Sequence, residues 1–299
     1  MKQPANSFLI LMVALSLSTA VAAQKAEELK SKYPGQEVVV LNNSVQYRVT
    51  IRDGEPYVES RENEQLMYLS AAAAAYMSRY SFTQSGFHEV TEYEAYTKTA
   101  DNKKIKVTNF KTDDYKSGSV FYDDVKETSF DFPAIGAGAI GVLNTKVVHR
   151  KPYLLPAHYF ARRVPVVNNE MSITFPKDMS VKYLLKGLNT DKILFKQEKR
   201  GNEITYQFQM KDVAPMQRYV DAPGSAWYAP QVLFYIEKYR NEKGTEVAYL
   251  ADTNALYKLN YSFVKDVNKE LGQDLKRVVD SLTLGISSPE DKARRIYQW

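Results

Sequence analysis

From Glu89 to Gln209 the sequence keeps returning to one kind of phrase. Short runs in which apolar and polar residues alternate ("VTEYEAYTKT", "KIKVTNF", "SVFYDDV", "TKVVHR", "MSITFP", "VKYLL", "EITYQFQM") are separated by polar turns such as Asp101-Asn102, Lys116-Ser117-Gly118 and Arg200-Gly201-Asn202. A period of two places successive side chains on opposite faces of a strand. Strands at this spacing, with no long helices between them, indicate a mainly β chain built as a sandwich. The 22 tyrosines point the same way, because Tyr among Val, Ile and Thr favours strands.

The flanks are organised differently. Residues 24–35 ("QKAEELKSKYPG") read as a short polar helix closed by Pro34-Gly35. "EVVVLNN" and "SVQYRVTIRDGEPYV" read as strands, with Asn42-Asn43 and Asp53-Gly54 as turn signals. The alanines 71–75 prefer helix, whereas the Tyr and Ser around them tolerate a strand, so that segment stays open. Three prolines (Pro215, Pro223, Pro230) break the strand pattern, and "QVLFYIEKY" then reads as a last buried strand. Beyond Tyr261 the period becomes helical, with Val264, Val267, Leu271, Leu275, Val278, Val279 and Leu282 in a stripe and Gly285 as its stop. Ser288 and Pro289 open another helix, with Glu290 and Asp291 at its positive end. The expected division is a leader at 1–23, a β-sandwich module at 24–260, a helical linker at 261–287 and a new domain's first turns at 288–299.

Lys2 followed by "FLILMVALSLSTAVA" has the form of a signal peptide, too short to span a bilayer, with Val21 and Ala23 suited to cleavage before Gln24. Export to the periplasm or cell envelope of a Gram-negative bacterium is the expected destination, and no later stretch reads as membrane-spanning. The chain has no cysteine, so disulfides, a lipid-anchored cysteine and a Cys nucleophile are excluded within these residues. A net charge of +5 with signs alternating along the chain offers no stripe for nucleic acid.

The motifs favour structure over chemistry. "GAGAIG" (Gly136–Gly141) matches a dinucleotide fingerprint in letters, yet the segment after it reads as strand, with no acidic residue near position 161. It reads as a glycine-rich turn between strands. His88, His149 and His158 lack metal-ligand spacing and read as surface or strand-face residues. Asp113-Asp114 and Asp123-Asp124 lack calcium-loop offsets and read as solvated turns. No Ser sits in a G-x-S-x-G elbow. No catalytic residue, metal site or cofactor is therefore expected. The remaining feature is the proline- and glycine-framed loop carrying Tyr219, Trp227 and Tyr228, whose aromatics either pack against a neighbouring domain or stack on a sugar ring.

Taken in order, the leader, "KYPGQEVVVLNN", "KETSFDFPAIGAGAIGVLNTKVVHRKPYLLP", "MSITFPKDMSVKYLL", "VDAPGSAWYAPQVLFYI" and "SSPEDKARRIYQW" resemble exported bacterial proteins carrying domain of unknown function 3857 ahead of a transglutaminase-like domain. Lys292, Ala293, Ile296, Tyr297 and Trp299 match the approximate opening of that second domain, "K-a-x-x-I-Y-x-W". The resemblance implies an immunoglobulin-like antiparallel β-sandwich followed by a C-terminal helical segment. Ile296 and Trp299 would then anchor a domain interface. It implies a non-catalytic module that scaffolds or positions a downstream Cys-His-Asp domain in the same polypeptide, acting on an envelope or extracellular substrate. The alternative is a module that binds a polysaccharide or envelope polymer through the aromatic loop. A carboxylate-based hydrolase complete within the chain is the third reading, and it has the least support.

Overall fold

The computed structural model describes residues 24–73, 78–117, 120–217, 221, 223–266 and 272–299. The leader lies outside them, as do Ala74, Ala75, Tyr219, Val267 and Leu271. Two compact units are present, Met1–Leu250 and Ala251–Trp299.

The larger unit is built on one wide sheet. Its strands, in spatial order, are β12 (Leu194–Arg200), β13 (Glu203–Val213), β10 (Val166–Pro176), β1 (Val38–Arg52), β2 (Glu55–Tyr68), β8 (Ile140–His149), β4 (His88–Lys98) and β5 (Lys104–Lys106). A second layer consists of two smaller sheets. One is β3 (Arg79–Gln84), β7 (Val120–Asp131) and β6 (Lys111–Ser117). The other is β11 (Ser180–Lys186), β14 (Gln231–Arg240) and β15 (Glu246–Ala248), with β9 (His158–Tyr159) also paired to β14. The chain is thus mainly β, a sandwich followed by helices. Two details depart from a purely antiparallel immunoglobulin arrangement. β1 and β10 run parallel, with Val45 opposite Met171, and eight strands in one sheet exceed the width of either immunoglobulin sheet.

Local sequence explains most of the pairing. Asp53 and Gly54 both adopt left-handed backbone (φ 52° and 81°), the two-residue turn that suits the twist of a hairpin, and they join β1 to β2. Asn42-Asn43, in contrast, makes no turn. It lies inside β1 beside a bulge at Val40/Asn42, and both side chains are engaged across strands. Of the five alanines, 71–73 form one 3-10 turn between β2 and β3. β14 is followed by the short β15, so it is not the last strand.

Alternation then buries one face. Val45, Tyr47 and Val49 of β1, Val58, Leu66 and Tyr68 of β2, and Met171, Ile173 and Phe175 of β10 all point inward and are buried. β11 and β14 cover one half of this face, where Tyr183 packs on Phe208 (ring centroids 4.9 Å apart) and Phe234 on Tyr47 (4.8 Å). β3 and β7 cover the other half through Phe82–Tyr93 (5.0 Å) and, beyond them, Phe110–Phe130 (5.2 Å). Each fully buried aromatic such as Phe160, Phe175 or Phe208 contributes about 2–3 kcal/mol from apolar burial.

The outer face of the wide sheet is polar, with one exception. Helix α1, described over 24–32 and closed by Pro34-Gly35 as expected, lays Ala26 and Leu29 on Val39, Met67 and Leu69. Beside it a row of carboxamides crosses five strands. Gln209 donates to Asn168, Asn168 to Asn42, Asn42 to Asn63 and Asn63 to Asn144, at 2.7–3.2 Å.

The smaller unit holds α2 (Thr253–Val264), α3 (Gln273–Thr283) and α4 (Pro289–Gln298). Helix begins at Thr253, eight residues before the change of period at Tyr261, because Asp252 accepts the Ala255 N–H (2.8 Å) and caps it. Ser288 caps α4 in the same way, accepting from Asp291, and Gly285 (φ 75°) follows α3. None of the three helices buries a side chain.

Candidate functional site

The described part of the aromatic loop is held by hydrogen bonds. A 3-10 turn, Ser225–Trp227, is held by Ala229 N–H to Ser225 O (2.8 Å) and by Gln231 Nε2 to Ala226 O (2.6 Å). The chain passes so close to Gly187 (φ 95°) that a Cβ there would sit 2.1 Å from the Ala229 oxygen. This positions the two tryptophan-loop aromatics oppositely. Trp227 is 73% exposed, with Lys186 Nζ 5.8 Å from its ring centroid. Tyr228 turns into a cavity of about 290 Å³ beside Leu188, Asp212 and Pro215. Tyr219 lies outside the described residues. Ile296 on α4 and Trp299, which caps its C-terminus, are 40% and 75% exposed.

A second site emerges where the two small sheets part. Between them the inner face of the wide sheet is left as a cleft of about 410 Å³, floored by β2, β8 and β4. The inward row of β2 there carries Ser60, Glu62 and Glu64. Ser60 is buried, donates to Glu62 Oε1 (3.3 Å) and lies 3.0 Å from His149 Nε2. With its one proton on Glu62, Ser60 accepts from a neutral His149 carrying its hydrogen on Nε2. His149 packs on Tyr47 (5.2 Å), and burial, then the nearby His88, push its pKa down to about 4. Burial, reinforced by Glu64, raises the Glu62 carboxyl, while the Ser60 bond, Arg162 and His88 pull it back. Tyr80 stands in the same cleft, and burial, reinforced by the nearby Glu64, raises its hydroxyl.

Ser, His and Glu together suggest acyl transfer, but the geometry opposes it. Ser60 is 1% exposed, and Glu62 bonds the serine instead of orienting the imidazole from Nδ1. The cleft is a binding geometry with polarised walls. Sequence reasoning missed Glu62 and Glu64 because β2 was followed only to Val58. Extending the same alternation by six residues turns both carboxylates inward.

The other motifs resolve simply. The glycine-rich segment joins β7 to β8, strand to strand, and Gly141 lets the Phe132 ring pack close, since a Cβ there would lie 3.1 Å from it. The Asp pairs are not turns. Asp113-Asp114 lies in β6, ion-paired with Lys111 and Lys126, and Asp123-Asp124 lies in β7. The histidines are strand-face residues, two of them buried. His88 stands opposite His149, while His158 bonds Asn169 Oδ1 (2.8 Å). Among the described residues no group of His, Asp and Glu is placed to hold a metal ion, and no helix is long and apolar enough to cross a membrane.

These features define a two-layer β-sandwich module with a cleft in its split layer. The chain belongs to the family of a domain of unknown function with solved structure, DUF3857, whose sequence model matches residues 57–217, more than half of the chain. A candidate protease from Parabacteroides distasonis ATCC 8503 shares the fold, with a TM-score of 0.66 at 15% identity over 88% of this chain and 49% of its own. The chain therefore spans about half the length of that protein. Weaker similarities are to an M1 zinc metallopeptidase from Deinococcus radiodurans (TM-score 0.36, 13% identity, 67% of this chain and 43% of that one) and to a candidate nutrient binding protein from Legionella pneumophila (TM-score 0.34, 5% identity, 86% and 84%). Those two carry no argument. No curated protein matches the sequence.

Proposed function

We propose that this chain is an exported, non-catalytic module that scaffolds or positions a transglutaminase-like Cys-His-Asp domain following it in the polypeptide. The observation that carries this reading is the state of the smaller unit. Its three helices bury no side chain, yet they display Leu256, Leu275, Ile296, Tyr297 and Trp299 to solvent. Helices in water draw most of their stability from packing an apolar face, so these suit packing against a folded surface outside their own unit. The partial overlap with the longer Parabacteroides protein is compatible with a module that works beside another part. The absence of cysteine here assigns the nucleophile of such an enzyme to the following domain.

The test begins with the reading frame beyond Trp299, where a Gly-x-Cys at a helix start and spaced His and Asp are expected. Removing the sandwich from the full-length protein should then lower turnover of a polymeric envelope substrate and leave turnover of a small soluble one unchanged. A stop codon directly after Trp299, or equal turnover of both substrates, overturns the reading. One observation favours polymer binding as a second function: Trp227 stands exposed on a 3-10 turn beside Lys186, a platform on which a sugar ring can stack.

A further inference from the structure

The cleft between the small sheets has a composition unusual for a sandwich interior. The inward row of β2 reads Val58, Ser60, Glu62, Glu64, Leu66, Tyr68, so two carboxylates occupy a face that is buried and apolar at either end. A carboxylate held away from water is costly unless it is paired or well hydrogen-bonded. Compensation within the protein is thin. Both carboxylates are half-buried, Glu62 accepts from Ser60 at 3.3 Å, and among the described residues neither belongs to an ion pair. Arg162 is the one Lys or Arg lining the cleft, and its Nη2 donates to Asn43 Oδ1 (3.3 Å). The walls therefore present two carboxylates against one guanidinium. Around them runs an apolar rim that includes Phe87 and Leu154, 50% and 56% exposed.

We propose that this cleft binds a ligand bearing a primary ammonium, seated between Glu62 and Glu64 with its hydrocarbon portion against Phe82, Phe87 and Leu154. An ammonium brings three donors, and the two carboxylates with the Tyr80 or Thr145 hydroxyl supply three acceptors. The volume of about 410 Å³ suits a diamine, a lysine side chain or a short amino-terminal peptide. This inference rests on the larger unit alone and is independent of any following domain.

The experiment is calorimetric titration of the full chain with cadaverine, Nα-acetyl-lysine methylamide and triglycine, with 1-pentanol as the uncharged control. Saturable binding of at least one amine and none of pentanol is expected. Which amine binds best assigns the source: a free diamine, a side chain or a chain terminus. Glu62→Gln and Glu64→Gln should each weaken binding at least tenfold, and their melting curves check that they fold. Phe87→Ala lies on the exposed rim, outside the hydrogen-bonded floor, and should weaken cadaverine about threefold even if a floor variant fails to fold. No saturable binding by any of the three amines, or affinity unchanged by both glutamine substitutions, overturns the proposal.

Discussion

Two imidazoles are buried in neutral form, and acid should unfold the sandwich through them. His149 is 6% exposed and His158 7%. Burial, then His88, brings the first to about 4. Burial, opposed by the Asn169 bond and reinforced by Arg162, brings the second to about 4. An unfolded histidine titrates near ~6.5, so as pH falls the unfolded chain takes the proton first. The stability each group contributes is complete above that unfolded value and is lost progressively down to the folded one. Each histidine gives a slope of at most ~1.4 kcal/mol per pH unit, so the two together remove up to about 4 kcal/mol between pH 6.5 and 5.0. Glu62 works in the opposite sense, since its raised carboxyl binds protons in the folded state and offsets part of this loss. The lowered carboxyls of Glu94, Asp101 and Asp212 act only below their unfolded values near ~4, outside that window. Urea denaturation at several pH values should be followed by far-ultraviolet circular dichroism, because Trp227 and Trp299 are both exposed and report poorly on the core. His158→Gln keeps a polar partner for Asn169 and should remove about half of the slope. Stability that stays flat from pH 7.5 to 5.0 in the wild-type chain would refute the reasoning.

Asn169 is fully buried and bonds Asn43, His158 and the carbonyls of Tyr159 and Phe160, so Asn169→Ala should cost at least about 3 kcal/mol in urea denaturation by orphaning several buried groups. Gly187→Ala forces a Cβ into the Ala229 carbonyl at positive φ and should lower the melting temperature by several degrees, whereas Gly136→Ala, with nothing within 4 Å, should stay within about 0.5 kcal/mol of wild type. Trp227→Ala should likewise change stability by less than about 0.5 kcal/mol while abolishing any retention on an envelope-polysaccharide column; undiminished retention removes Trp227 from that role. Asp252→Ala should destabilise α2 by about 1 kcal/mol, visible as faster amide exchange at Ala255 and its neighbours.

The strands were legible because alternation records burial directly. "MSITFP" and "EITYQFQM" each carry one apolar face, and they pair as β10 and β13. Asn42-Asn43 misled because asparagine favours turns when its side chain has only local backbone to bond. Here the neighbouring strands offer side-chain partners, and no single sequence contains that information. The parallel pairing of β1 with β10 was hidden for the same reason, since residues more than a hundred positions apart set it. Trp227 and Tyr228 were singled out together as loop aromatics, and the structure gives them different surroundings. The cleft was the least visible feature. It arises from a gap between two sheets, which is a property of their arrangement and of no local segment.

The carboxamide row on the outer face also has a direction. Asn168, Asn42 and Asn63 each donate toward β8 and accept from the β13 side, so reversing one would set donor against donor on one flank and acceptor against acceptor on the other. Hydrolysis of Asn168, Asn42 or Asn63 to aspartate would replace the nitrogen that hands the row onward with a second, charged acceptor. The break would fall between two strands in mid-sheet and leave every residue in place. A protein that persists for long periods would then carry a chemical record of its age on this face, written one lost ammonia at a time.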